Sequence, residues 1–167
     1  MLALGLMGSP ADHPPVPCLG NCQASPAAVG VIKHFEGYSP MLYKDAAGYD
    51  TIGFAHLIKP GEKIQQPLLG EAAERLLQQD ITPKVAAVNA RVSVPLFQGQ
   101  FDAVLSWTYN LGEGALKSST MLKQINAARH DEVPAQMKRW NRAGGTVLKG
   151  LERRREAEAA LYEMRWY

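Results

Sequence analysis

Between Phe35 and His56, in the stretch FEGYSPMLYKDAAGYDTIGFAH, the hydrophobic period of the chain changes, and that change predicts a helix running into a β-hairpin. Upstream, Val29, Val31, Ile32 and Phe35 recur at helical spacing and Gly37 supplies a C-terminal stop. Glu36 therefore closes a short helix. A carboxylate there faces the partial negative charge of the helix terminus, so Glu36 is either solvated and incidental or kept for a function. Met41 to Tyr43 and Tyr49 to Phe54 are rich in aromatic and β-branched residues, and Ala46-Ala47-Gly48 between them supplies a turn. With paired strands about 4.8 Å apart, Asp45 at the end of one and Thr51 inside the other can face one cleft with Glu36 opposite. Asp50, alternating with Thr51, is expected to point away.

Two carboxyl groups and a hydroxyl so placed suit glycoside hydrolysis. One carboxylic acid donates a proton to the leaving oxygen, while an ionised one activates water or stabilises an oxocarbenium-like transition state. Glu36, beside Phe35, is the expected donor. Asp45, near an open turn, is the expected base, and the Thr51 hydroxyl can hold the attacking water beside it. The competing reading is a solvated hairpin carrying ordinary surface charge, since the chain has 16 acidic residues to distribute.

The whole string narrows the choice. Phe35-Glu36-Gly37, Tyr43-Lys44-Asp45, Gly48-Tyr49-Asp50-Thr51-Ile52-Gly53 and His56 closely resemble the active-site segment of the phage-type lysozymes, glycoside hydrolase family 24. The resemblance implies that Glu36 is the general acid and that Asp45 and Thr51 position and activate water. It extends to Gln100-Phe101-Asp102-Ala103 with Asn110-Leu111-Gly112, to Arg139-Trp140-Asn141-Arg142-Ala143-Gly144-Gly145, and to Arg153-Arg154-Arg155-Glu156-Ala157-Glu158. About Ala28 to Tyr162 is covered. One departure is Phe54-Ala55, where many members carry a small residue, often glycine, before the histidine.

The fold so implied is α+β and mainly helical, with a small hairpin-bearing lobe, a connecting helix, a larger helical lobe and the cleft between them. The implied reaction is cleavage of the β-1,4 bond between N-acetylmuramic acid and N-acetylglucosamine in bacterial peptidoglycan, with inversion. The resemblance also implies synthesis in a host bacterial cytoplasm and action in the periplasm. No cofactor or metal is called for, and a monomer is expected.

The remaining chain fits this layout. Its 167 residues, 46% hydrophobic, suffice for a substantial core. Leu69 to Ala90 reads as a helix with Ala73, Leu76, Leu77, Ile81, Val85 and Val88 on one stripe, kinked or split at Pro83. Pro95 to Leu111 follows with Phe97, Phe101, Val104, Leu105 and Thr108 inward. Trp107 and Tyr109 fall off that stripe, either as core or as surfaces that stack on sugars. Ser118-Ser119-Thr120 offers N-caps for a helix through Ala128, and another helix begins at Asp131 with Pro134 in its first turn. Ser118, Ser119 and Asn141 are candidates for hydrogen bonds to glycan, each equally able to serve only as a cap. Leu151, Ala157, Leu161 and Met164 are expected to pack the last helix. At least one of Arg153, Arg154 and Arg155 is expected to reach the cleft and contact Glu36 or substrate, with Arg154 taken as that residue. His56 is expected to pair structurally with a nearby acid, and His34 to be a surface residue.

Residues 1–27 differ in character from 28–167, the expected catalytic domain. A seven-residue apolar run, Met1 to Met7, is far short of the roughly 20 residues a membrane span requires. A Pro/Gly-rich segment with Cys18 and Cys22 follows, which could form a small disulfide loop or stay reduced. His13 is the only further ligand nearby, too little for a metal site. The formal charge of +2 excludes a strongly basic nucleic-acid binder, although residues 129–167 carry a net +3 against −1 before them. The rival functions are a lytic transglycosylase, which needs no water-positioning pair, and a non-enzymatic wall-binding or membrane-disrupting protein acting through the basic C-terminal helix.

Overall fold

A computed structural model describes residues 15–164. The leading apolar run and His13 lie outside the described residues. Helix α1 (Pro26–Glu36) starts where Ser25 Oγ accepts from the Ala27 and Ala28 amides, and it ends at Gly37. Strands β1 (Ser39–Lys44), β2 (Asp50–Gly53) and β3 (His56–Leu57) follow as an antiparallel sheet in sequential order, with Tyr43 opposite Thr51 and Ile52 opposite His56. The hairpin is as expected, with Gly48 at φ 87° in its turn. The third strand is an addition. It depends on a reversal at Phe54-Ala55, where Ala55 takes φ 61°. Ala55 thus occupies a left-handed conformation that favours glycine, which gives the departure from the usual glycine a local cost.

Helix α2 (Gly70–Arg91) runs through Pro83 as one element rather than two, burying Ala73, Leu77, Ile81, Ala87 and Val88. Pro83 removes only one backbone donor, and the apolar stripe on both sides continues to pack. Helix α3 (Gln98–Leu111) is buried nearly all round from Gly99 to Thr108 and is the axis of the helical lobe. Around it lie α4 (Glu113–Ser118), α5 (Thr120–Asn126), α6 (Val133–Lys138) and α7 (Lys149–Glu163). Asp131 falls in a 3₁₀ turn, His130–Glu132, and Pro134 sits in the first turn of α6. The β4 (Arg142–Ala143) and β5 (Thr146–Val147) ribbon then forms about Gly144-Gly145, whose φ values are both positive. Met164 is exposed at the end of α7 instead of packed.

The segment before α1 is fastened to the body. Cys18 and Cys22 form a disulfide. Cys18 and Leu96 exchange backbone hydrogen bonds of 2.8 and 2.9 Å, and the Asn89 side chain accepts from the Cys22 amide and donates to its carbonyl. Cys22 packs into the main core, and α1 begins at Pro26. The packed body therefore starts by Cys18, earlier than the boundary expected at residue 28.

Candidate active site

Glu36 stands at the C-terminal end of α1 on the wall of a cavity that is also lined by Phe35, Asn110, Leu148 and Arg154. Its side chain is 13% exposed. Arg154 Nη1 donates to Glu36 Oε1 at 2.7 Å, while Arg154 Nε donates to Glu158 Oε1 at 3.1 Å and Nη2 to the Ser106 carbonyl. Of the three consecutive arginines, Arg154 is thus the one that reaches Glu36. It is 3% exposed, so it meets substrate poorly and instead fixes the carboxylate that lines the cavity.

Beneath this pair lies a buried charged knot. Ser106 Oγ donates to Glu158 Oε1 at 2.8 Å, and Arg155 Nη1 lies 3.0 Å from Glu158 Oε2 without hydrogen-bond alignment. Arg155 also donates to Asn110 Oδ1. Burial raises the Glu158 carboxyl above its ordinary value against the pull of both arginines, and burial lowers the Arg155 guanidinium to about 10. Arg155 still carries its charge at neutral pH. The i, i+4 spacing of Arg154 and Glu158 places both on the inward face of α7.

Asp45 follows β1 in the hairpin turn. Its Oδ1 accepts from the Ala47 and Tyr49 amides at 2.9 and 2.8 Å. Thr51 Oγ1 donates to the Tyr49 carbonyl at 3.0 Å. The Tyr49 peptide groups therefore join the carboxylate to the hydroxyl. Thr51 is only 1% exposed, and its hydroxyl hydrogen is occupied. Through this bond the hydroxyl braces the turn that carries Asp45. Asp50 turns away to Lys44 at 2.8 Å.

Tyr43, opposite Thr51, was not singled out by the sequence reading. Its phenol is raised chiefly by burial, then by the negative charges of Glu36 and Asp45, so both carboxylates act on it. Its place one pair from the turn was the available signal. Tyr109 was legible only as a residue off the apolar stripe. Its hydroxyl donates to the Phe54 carbonyl at 3.0 Å, tying α3 to the sheet, and burial drives the phenol far above its ordinary value. Trp107 is core, edge-to-face with Trp140 at 5.2 Å.

The glycan-binding candidates separate. Ser119 caps α5: its Oγ accepts from the Leu122 amide and donates to the Leu116 carbonyl, with the residue buried. The expectation that this hydroxyl faces a glycan gives way to a capping role. Ser118 is the last residue of α4 rather than a cap, and its hydroxyl bonds back to Gly114 at 3.0 Å. Asn141 lines a second depression beside the Glu36 cavity and accepts from the Leu148 amide through its carbonyl.

His56 is the third anchoring point. It is buried, with Nδ1 2.9 Å from both Asp80 oxygens and Nε2 3.1 Å from Glu62 Oε2. It thereby joins the sheet to α2 and to the loop after β3, the structural role expected of it. His34 is exposed, as expected. Among the described residues no group of three or more His, Cys, Asp or Glu side chains is placed to hold a metal ion, and no helix is long and apolar enough to cross a membrane.

Residues 33–158 match the family model described as phage lysozyme. The endolysin of Bacillus phage B103 is 39% identical over 143 residues, covering 83% of this chain and 53% of the relative. The chain thus spans about half the length of that relative. Among solved structures, an endolysin from Escherichia coli O157:H7 phage FAHEc1 superposes with a TM-score of 0.81 at 36% identity, covering 90% of this chain and 99% of that one. The muramidase domain of SpmX from Asticaccaulis excentricus gives 0.78 at 34% identity, covering 86% and 99%.

Proposed function

The chain belongs to the phage lysozyme family, and from that premise we propose that it is an endolysin that hydrolyses the β-1,4 bond between N-acetylmuramic acid and N-acetylglucosamine in peptidoglycan. Glu36, held by Arg154 on the cavity wall, delivers a proton to the glycosidic oxygen as the bond to the anomeric carbon breaks. Asp45, whose Oδ1 is fixed by two turn amides, removes a proton from water with its remaining capacity, and that water attacks the anomeric carbon from the other side. The result is inversion. Thr51 acts through Tyr49 as a positioning residue.

The single observation that carries this reading is the Glu36 carboxylate held by Arg154 on a cavity wall, with Asp45 near enough that both negative charges act on Tyr43. The membrane-disrupting alternative finds less support, because Arg154 and Arg155 point inward and pair with Glu36 and Glu158. Host-cytoplasmic synthesis, action in the periplasm, a monomeric state and no nucleic-acid partner belong to the same proposal. Mass spectrometry of fragments released from purified peptidoglycan tests it. Reducing muramic-acid ends from wild type, with at least about a 10²-fold loss in Glu36→Gln, is the expected result. Anhydro ends would reassign the chain to transglycosylation.

A further inference from the structure

The start of α7 carries more positive charge than the Glu36 site uses. Arg154 is neutralised by Glu36 and Glu158, Arg155 by Glu158, and Lys138 by Glu156 at 2.7 Å. Among the described residues, Lys149 and Arg153 have no carboxylate within ion-pair distance, and both are exposed. Being four apart on one helix, they share a face. Arg153 lines the Glu36 cavity and also the adjoining depression of about 560 Å³, which Lys149, Asn141 and Glu152 help to form. It alone belongs to both walls.

We propose that Arg153 and Lys149 form a carboxylate subsite that receives the anionic side branch of the glycan bound at Glu36, an inference that rests on the hydrolase reading above. A muramyl ring carries its lactyl ether and stem peptide sideways from the sugar chain. A glycan seated over Glu36 sends that branch across the wall where Arg153 stands, into the depression containing Lys149. A guanidinium can grip a carboxylate with two parallel hydrogen bonds, and an ammonium adds a point charge. Glu152 on the same wall offsets one of the two cations, so the subsite suits a single carboxylate rather than a polyanion. The carboxylate could be one on the stem peptide or the lactyl acid exposed when the peptide has been removed.

The test compares the double variant Lys149→Gln/Arg153→Gln with its parent, both in wild type and in the Glu36→Gln background. Calorimetry in the latter reads binding of soluble stem-bearing glycan chains, of the same chains after amidase treatment, and of a neutral chito-oligosaccharide. The expected result is about a tenfold weaker affinity for stem-bearing chains, the worth of one charge-assisted hydrogen bond, with no change for the neutral oligomer. In the active background KM rises correspondingly while kcat holds. Weakening on stem-bearing chains alone assigns a peptide carboxylate, weakening on amidase-treated chains alone assigns the lactyl acid, and weakening on both shows that the cations accept either. Equal weakening on the neutral oligomer, or none on either peptidoglycan ligand, overturns the subsite. A wild type that binds through these cations but releases no fragments would sink the hydrolase reading and leave the subsite standing.

Discussion

The sheet around Thr51 and the helices around Trp107 are held by different interactions. The sheet's own core is small, comprising Ile52, Leu68 and Ala73 with a few half-buried neighbours. Its shape depends on polar ties: the Asp45 turn, the His56 clamp to Asp80 and Glu62, the bond from the Tyr38 hydroxyl to the Leu68 carbonyl, and the Leu42 amide on Gln66. Gly53 is close enough to Leu68 that an added Cβ would lie 3.0 Å from its methyl. The helical lobe instead buries large apolar side chains around α3, interrupted by the charged knot about Glu158. The proposed acid stands on the lobe whose geometry is fixed by packing, and the proposed base on the lobe whose geometry is fixed by hydrogen bonds.

The largest expected effect lies in the knot. Removing Glu158 leaves Arg154 and Arg155 as buried cations without their shared counter-ion, so Glu158→Ala should destabilise by about 3–5 kcal/mol. Urea unfolding measures it. A loss below about 1 kcal/mol would mean that water reaches the knot and that the helical lobe is less dry than its burial implies.

Matched truncations in the two cores sharpen the contrast. Leu105 and Ile52 are both fully buried, and each change to Ala should cost about 2–5 kcal/mol at its site. Leu105→Ala should lower protection from amide exchange throughout the chain, because α3 is the axis of the larger core. Ile52→Ala should expose the sheet and the loop after β3 first, leaving α3 protected. Equal loss of protection in both variants would make the lobes one cooperative unit and break the comparison.

Local chemistry made some of this visible in the sequence and hid the rest. Gly37, Gly48 and the alternating run about Thr51 announce helix end, turn and strand from a few adjacent residues. The match from Glu36 to His56 named the catalytic candidates in the same way. Arg154 could not be distinguished from Arg153 and Arg155, since which side chain points inward depends on the rotation of α7 against α3, 48 residues away at Ser106. Gly144-Gly145 between short extended runs is the local signal for the β4–β5 hairpin. Ser119, legible as an N-cap candidate, does cap α5 through its hydroxyl.

The Ala55 reversal gives a smaller effect of opposite sign. Ala55→Gly relieves a left-handed φ of 61°, and should raise stability by about 1 kcal/mol. Thermal unfolding of the pair checks this, and a lower melting temperature for the glycine variant would show that lost unfolded-state stiffness outweighs the relief.

The smallest effect tests whether the sheet's polar ties are electrostatic. Glu62 is held below the usual carboxylate range of about 4.5, first by the Lys59 amide at 2.9 Å and then by the hydrogen bond from His56. A carboxyl whose folded value is lowered adds stability that is present above the unfolded value and disappears as pH falls through the folded one. Glu62→Gln should therefore cost under about 1 kcal/mol at pH 6 to 7, since the pair is partly exposed, and the gap should close as the wild type is acidified past 4.5. The closing gap should be felt in exchange at β3 and the loop to α2 and not at α3, because only the sheet side of the molecule rests on this contact. A deficit that persists unchanged into acid would mean that Glu62 holds the loop by shape rather than by charge.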